Sequence, residues 1–260
     1  MKIFICTMFL LIASQILISC NSEKANSKTI LGIFPHPDDE NIIGDVFAKY
    51  ARLGHKVYII IATDGKDGTR VTSIPAGDSL GKIRKQESIC ACEKLGIQPP
   101  IFLALERLDT KFGVRPYLNG HKKLLEDLKK YILELQPDVL ITFGPDGEYG
   151  HSEHIVTGAT VIDLLLREVW VDKYPLYFPV DLKEEVADDE DLSYVNQKYV
   201  NVKIEYSDED EQKSFEAAKC YVTQTTAEEL KELIERKSAD TKNTKYFRRF
   251  AVKKGMQNNF

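Results

Sequence analysis

The run Phe34-Pro35-His36-Pro37-Asp38-Asp39-Glu40 places one imidazole and three carboxylates close together. Far downstream, His151-Ser152-Glu153-His154 adds two imidazoles three positions apart. The chain has five histidines, and these two runs hold three of them. Imidazole and carboxylate are the ligands from which hydrolytic zinc sites are made. A further carboxylate beside them can take a proton from metal-bound water. Either run alone has an ordinary explanation: Pro and Asp favour turns, and a His-x-x-His pair at a polar helix start can simply be solvated. Each follows a hydrophobic strand, and together they point to one site.

His36 and Asp39 lie three apart at a strand-to-helix turn, so both can face one point. With His154 as third ligand, three protein groups and a water describe an open, catalytic zinc site with one zinc per chain. Asp38, beside the ligand Asp39, is placed to accept the water proton. His151, one helical turn before His154, can donate to a developing oxyanion or a leaving amine, and Tyr149 is a second donor. Nothing here supplies an evident activated nucleophile, and no cysteine has an evident histidine partner. Direct attack by zinc-bound water is therefore the simplest mechanism. Ferrous iron or cobalt would also suit two histidines and one aspartate.

These residues need a scaffold that brings them together. Short apolar stretches at 29–34, 56–63, 101–105 and 138–143 read as strands. They alternate with helical patterns at 40–53, 79–95, 120–135 and 152–169, where apolar residues recur three or four apart. That alternation predicts an α/β fold with a mostly parallel sheet and helices on both faces. Ligands of such sheets bind at the carboxyl ends of the strands. His36, Asp64 and His151 each follow a strand, so they fall on one edge of the sheet. Beyond residue 170 the pattern is less regular. An acidic stretch spans 181–191, a strand is expected at 199–206, and Ser207 opens a helix running to Tyr221. Thr226 and Glu229 form a capping box for a further helix, and 245–252 reads as the last strand.

With 260 residues, 43% of them hydrophobic, the chain can build a substantial core. Its formal charge of -5 argues against a nucleic-acid partner. Lys2 precedes an apolar stretch, 3–18, which ends at Leu17-Ile18-Ser19-Cys20. This resembles a bacterial lipoprotein signal, with cleavage after Ser19 and lipidation of Cys20. Residues 1–19 are then the signal, 20–28 a tether and 29–260 the folded domain. The lipid anchor is the expected membrane contact, in the cell envelope. In a Gram-negative cell Asn21 favours the outer membrane. Cys90, Cys92 and Cys220 remain, an odd number in an oxidising compartment. All three read as core or helix residues, not as zinc ligands.

Taken together, His36-Pro37-Asp38-Asp39-Glu40, Thr63-Asp64-Gly65, Arg84-Lys85-Gln86-Glu87 and Tyr149-Gly150-His151-Ser152-Glu153-His154 resemble the PIG-L/LmbE-like family of zinc-dependent de-N-acetylases. The similarity runs from about Thr29 to Thr160, with Thr223-Gln224 as a trace of a late Ser-Gln motif. The resemblance implies a Rossmann-like fold, zinc on His36, Asp39 and His154, Asp38 as general base and His151 as transition-state stabiliser. Asp64 and Arg84 fall in its substrate-contact motifs. The loop Asp64-Gly65-Lys66-Asp67-Gly68 and Tyr221, where the late motif has a histidine nearby, depart from the pattern. The expected function is hydrolysis of the N-acetyl group of an amino sugar or glycoconjugate. The competing readings are an amidase acting on another acyl-amine and a glycan-binding lipoprotein without catalysis. A nucleotide-binding Rossmann protein is disfavoured, because Gly-x-Gly-x-x-Gly is absent after the first strand.

Overall fold

The structure, a computed structural model, describes residues 27–186 and 191–258. The expected signal 1–19, Cys20 and most of the tether lie outside the described residues, as do 187–190 of the acidic stretch. In chain order the main elements are β1 (Thr29–Phe34), α1 (Gly44–Arg52), β2 (Lys56–Thr63), α2 (Asp78–Leu95), β3 (Ile101–Leu105), α3 (Val114–Leu135), β4 (Val139–Ile141) and α4 (Ser152–Arg167). Then come β5 (Leu176–Val180), β6 (Val202–Glu205), α5 (Asp208–Ala218), α6 (Ala227–Ala239) and β7 (Thr244–Arg249).

The strands form one sheet in the order β3-β2-β1-β4-β5-β7-β6. Strands β1 to β5 pair in parallel. Strand β7 runs antiparallel between β5 and β6. The period of two along β2 sends Val57, Ile59 and Ile61 to one face, where they meet Phe47 of α1 and Leu95 of α2. Ile60 and Ala62 turn to the other face, against Leu124 and Leu128 of α3 and Leu164 of α4. A strand buried on both faces needs a nearly continuous apolar sequence, which is why β1 and β2 stand out along the chain. Truncating a fully buried residue such as Leu164 to Ala should cost about 2–5 kcal/mol.

From β1 the chain builds outward through β2 and β3, then returns by α3 to place β4 on the opposite side of β1. The order therefore reverses between β1 and β4, and a crevice opens there at the carboxyl ends of the strands. Segment 35–40 leaves β1 and segment 144–154 leaves β4 at this crevice. The two histidine runs meet because of that reversal.

Several boundaries differ from the sequence reading. The helix expected from residue 40 starts as a separate 3-10 turn, Asp39–Ile43, and only then continues as α1. Helix α3 begins at Val114, so Gly120 lies inside it. Strand β5 lies in the stretch beyond residue 170 that the sequence reading left unassigned, and it contains Pro179, which sheets tolerate only where no N–H is needed. β4 pairs only with Leu176 and Tyr177, so Pro179 lies beyond that ladder and is paired with β7 alone. The last strand ends at Arg249, and β6 is shorter than 199–206. Cys90 of α2 is disulfide-bonded to Cys220 just after α5, which leaves Cys92 free and buried.

Candidate active site

The exit of β1 is fixed from both flanking strands. Thr63 at the end of β2 donates its N–H (2.8 Å) and its hydroxyl (3.0 Å) to the Pro35 carbonyl. On the other side Thr142 Oγ1 donates to the Ile33 carbonyl at 2.8 Å. The chain then turns on Asp38, held at φ 99°, a left-handed value uncommon for a residue with a Cβ. Asp39 Oδ2 accepts from the His36 N–H at 2.8 Å, so the turn is closed by a ligand candidate's own carboxylate.

Arg84 of α2 braces this turn. Its guanidinium is buried and donates to the carbonyls of Gly65 (2.7 Å) and Pro37 (2.8 Å), and to Asp38 Oδ1 (3.3 Å). The passage exists because residue 65 is glycine: a Cβ there would lie 1.9 Å from Arg84 Nη1. Arg84 lines the cleft as expected of a substrate contact, but its hydrogen bonds go to the loop that carries Asp38 and to Gly65 in the loop after β2. Asp64 does not line the cleft. It accepts from the Lys66 N–H (3.3 Å) and faces Lys85 of α2 (3.9 Å).

The second histidine run sits on α4. Gly158 lets that helix approach the β4 exit, since a Cβ there would lie 2.3 Å from the Phe143 carbonyl oxygen. His154 is 2% exposed, and its ring stacks on Phe143 at 3.8 Å. Asp39 stands between the two outer histidines. Its Oδ2 is 3.3 Å from His36 Nδ1 and its Oδ1 is 3.2 Å from His154 Nε2. Nitrogens of His36, His151 and His154 lie within 4.8 Å of one another. The three expected ligands His36, Asp39 and His154 are therefore gathered, with Asp38, Tyr149 and His151, at one cleft of about 400 Å³.

The charges are those of a place built for a cation. Burial opposes charge on His36, yet Asp39 and Glu153 outweigh it and lift the imidazole to about 10. Burial also opposes charge on Asp39, and the flanking His154 and His36 still hold it below the usual carboxylate range. Two imidazoles and a carboxylate converging in this way fit a divalent transition metal. One ring nitrogen of His154, Nδ1, is buried without a hydrogen-bond partner, as expected of a ring oriented for something besides packing.

His151 differs from the other two histidines. It caps α4, and its Nδ1 accepts from the Glu153 N–H at 3.3 Å. Nδ1 then has its lone pair engaged, and the neutral ring carries its proton on Nε2. Burial, His36 and His154 hold this imidazole down at about 4, so it is neutral at ordinary pH. A neutral ring with Nε2–H is a donor and offers no free lone pair to a metal. Asp38 lies beside it in the cleft, where burial pushes its carboxyl up to about 7 against the pull of Arg84.

Sequence reasoning missed several groups. Glu153, between the paired histidines, is 3% exposed, meets His36 Nε2 at 2.8 Å and accepts from the Leu108 N–H at 2.6 Å. Arg107, from the loop after β3, lies 3.6 Å from the same carboxylate and is anchored by Asp67 at 3.0 Å. Glu40 is bonded to the Tyr221 hydroxyl, and burial pushes its carboxyl up to about 8. Glu87 accepts from Thr223 Oγ1 at 2.7 Å, which brings Gln224 to the cleft wall. Glu148 lies 3.5 Å from His154 Nδ1, and burial and then Asp39 push it up to about 7. An acid in the first turn of a helix reads as a dipole partner, so the only local hint at Glu153 was its place between two histidines.

The sequence profile of the family described as PIG-L, GlcNAc-PI de-N-acetylase, matches residues 31–165. Among relatives, a 1D-myo-inositol 2-acetamido-2-deoxy-alpha-D-glucopyranoside deacetylase of Corynebacterium glutamicum (strain R) is 33% identical over 142 residues, 48% of this chain and 49% of that protein. The chain thus spans about half the length of the curated relatives it matches. Among solved structures, the N,N'-diacetylchitobiose deacetylase from Pyrococcus horikoshii aligns with a TM-score of 0.64 at 19% identity, over 96% of this chain and 94% of that one. The 4-carboxy-2-hydroxymuconate hydratase of Pseudomonas putida KT2440 aligns with a TM-score of 0.62 at 13% identity, over 89% and 100%. These structural likenesses speak to the fold, and the hydratase shows that the fold carries more than one chemistry.

Proposed function

Because the chain belongs to the PIG-L family of de-N-acetylases, we propose that it is a zinc-dependent N-deacetylase acting on an N-acetylated amino sugar or glycoconjugate. The observation that carries the proposal is Asp39 standing 3.3 Å from His36 Nδ1 and 3.2 Å from His154 Nε2, at the reversal of strand order. His36, Asp39 and His154 would hold the metal. Bound there, zinc supplies Lewis-acid polarisation and a nucleophile at neutral pH.

This chain's own residues do the rest. Asp38 lines the cleft next to Asp39 and accepts the proton of the attacking water, while Arg84 and the Pro37 carbonyl hold its turn in place. His151 presents Nε2–H to the oxygen on which negative charge develops. Tyr149, half-exposed at the lip, is a second donor to the same region. The acetyl-bearing nitrogen leaves as an amine after taking up the proton.

The named activity of the Corynebacterium relative, on an inositol-linked acetamido sugar, supports the choice of substrate class. We propose further that residues 1–19 are a lipoprotein signal and Cys20 the anchored residue, in the cell envelope. The Cys90–Cys220 disulfide supports an oxidising compartment. Protein spanning 21–260, stripped and reloaded with zinc, should release acetate from at least one member of a panel of N-acetylated sugars, and only when loaded. Binding of glycans without acetate release would favour the non-catalytic reading. Intact-mass measurement of the cellular protein tests the anchor: residues 1–19 still attached would rule it out.

A further inference from the structure

Glu148 has the least ordinary backbone in the site. It lies at φ 68° and ψ -64°, the region of a tight γ-turn that residues with a Cβ rarely adopt. The turn is held at both ends. The Glu148 N–H donates to Asp146 Oδ1 at 3.0 Å, and its carbonyl accepts from the Ser193 N–H at 2.6 Å. Neither bond needs a side chain at 148, and glycine would take up this conformation freely. A strained residue at a site is a reason to ask what its side chain does.

The Glu148 carboxylate faces His154 Nδ1 at 3.5 Å. That nitrogen is buried and has no hydrogen-bond partner. The other ring nitrogen, Nε2, faces Asp39 Oδ1 at 3.2 Å and is the one turned to the candidate metal group. An imidazole that ligates a metal through one nitrogen carries its proton on the other, and an outer carboxylate there fixes both tautomer and ring orientation. The separation exceeds a good hydrogen bond by a few tenths of an ångström, within reach of a small rotation of the glutamate side chain.

We infer that Glu148 is a positioning residue for His154, accepting a hydrogen bond from its Nδ1–H so that the proton stays on Nδ1 and the Nε2 lone pair is available to the metal. This rests on the metal reading above. It makes the strain at residue 148 intelligible: the backbone conformation aims a carboxylate at a ring nitrogen that nothing else reaches.

The test compares wild type, Glu148→Gly and Glu148→Gln, with two measurements. One is the zinc dissociation constant, from competition with a chromogenic chelator. The other is the thermal midpoint of the metal-free protein. Glycine relieves the strain and removes the carboxylate. The metal-free Gly variant should therefore melt at or above the wild-type temperature, while its zinc affinity falls about 10–100-fold. Glutamine keeps an acceptor oxygen in place, so its affinity should lie between the two. Equal zinc affinity in wild type and Glu148→Gly overturns the inference and leaves the metal reading standing. A large fall in the metal-free midpoint of Glu148→Gly would make the residue structural and also overturn it. Failure of the wild type itself to take up zinc would overturn the metal reading and this inference with it.

Discussion

Glu153 Oε2 lies 2.8 Å from His36 Nε2, across 117 positions of sequence. The bond joins the loop after β1 to the first turn of α4, and it is made by the ring nitrogen of His36 that faces away from Asp39. Its second oxygen receives the Leu108 N–H at 2.6 Å, so one carboxylate fixes three separate segments at the crevice.

That bond predicts a metal-affinity effect from a residue that touches no metal. Glu153→Gln keeps the shape and an acceptor for Leu108 but loses the charge that holds the His36 ring. Zinc affinity should fall about 10–100-fold, measured by chelator competition, with the fold intact by circular dichroism. Wild-type affinity in this variant would mean that Glu153 only ties loops together.

Asp38 is assigned to the proton and Asp39 to the metal, although they are neighbours. Asp38→Asn should retain one zinc per chain by elemental analysis. Its kcat for acetate release should fall on the order of 10²- to 10⁴-fold. Retained activity at full zinc loading would remove Asp38 from the proton step.

His151 gives the sharpest separation of roles. If its Nδ1 accepts from the Glu153 N–H as the geometry has it, His151→Ala should keep its zinc and lose about 10²- to 10³-fold in kcat with little change in KM. Loss of zinc from this variant would instead place His151 among the ligands, within the three-imidazole group whose nitrogens lie within 4.8 Å.

Acid stability should depend on a pair far from the cleft. Arg52 of α1 makes two 2.8 Å bonds to the buried Asp210 of α5. Burial works against the Asp210 charge, but the bonds from Arg52 and Ser207 hold its carboxyl down at about 2. A carboxylate lowered on folding contributes stability that is present above its unfolded value near 4 and is lost as pH falls from about 4 to about 2. Arg52→Ala should therefore lower the thermal midpoint at pH 7, and the difference from wild type should shrink across that window. A difference independent of pH would assign the effect to packing of the Arg52 stem.

The disulfide gives a further prediction. Cys90–Cys220 closes a loop of 130 positions, and the Cys90→Ser, Cys220→Ser pair should lose about 2–5 kcal/mol by denaturant titration. Thr223 and Gln224 follow directly, and Thr223 is bonded to Glu87 one turn before Cys90 on α2. KM should rise more than kcat falls, because the loosened wall meets the substrate and not the ligands. An unchanged KM would mean that the Thr223–Glu87 bond alone holds the wall.

What could be read from the chain follows from what each feature depends on. β1 and β2 are legible because both faces are buried, which leaves a run of apolar residues that few other structures need. That His36, Asp39 and His154 meet at one cleft is legible because rare residue types follow such strands. Asp64 stands at the right edge of the sheet, yet its side chain turns to Lys85, a direction that strand position alone does not determine. The partners Glu40–Tyr221 and Glu87–Thr223 are 181 and 136 positions apart, and no local pattern pairs them. β5 lies in a stretch with no regular pattern, and its Pro179 fits a strand only because β4 is too short to need the missing N–H. The pairing of Cys90 with Cys220, and not Cys92, depends on where α5 lies against α2.

The Cys90–Cys220 bridge also bears on how the molecule breaks. His151 and His154 lie between the bridged cysteines, and His36 and Asp39 lie before them. A single peptide bond cut anywhere from 90 to 220 yields two pieces that stay joined by a covalent bond. The piece carrying the β1 turn cannot drift from the C-terminal arm that carries Tyr221 and Gln224. A nick in the acidic stretch 181–191 should leave one band on a non-reducing gel and two once reductant is added. The bridge thus keeps the two pieces of a chain nicked within this span together until it is reduced.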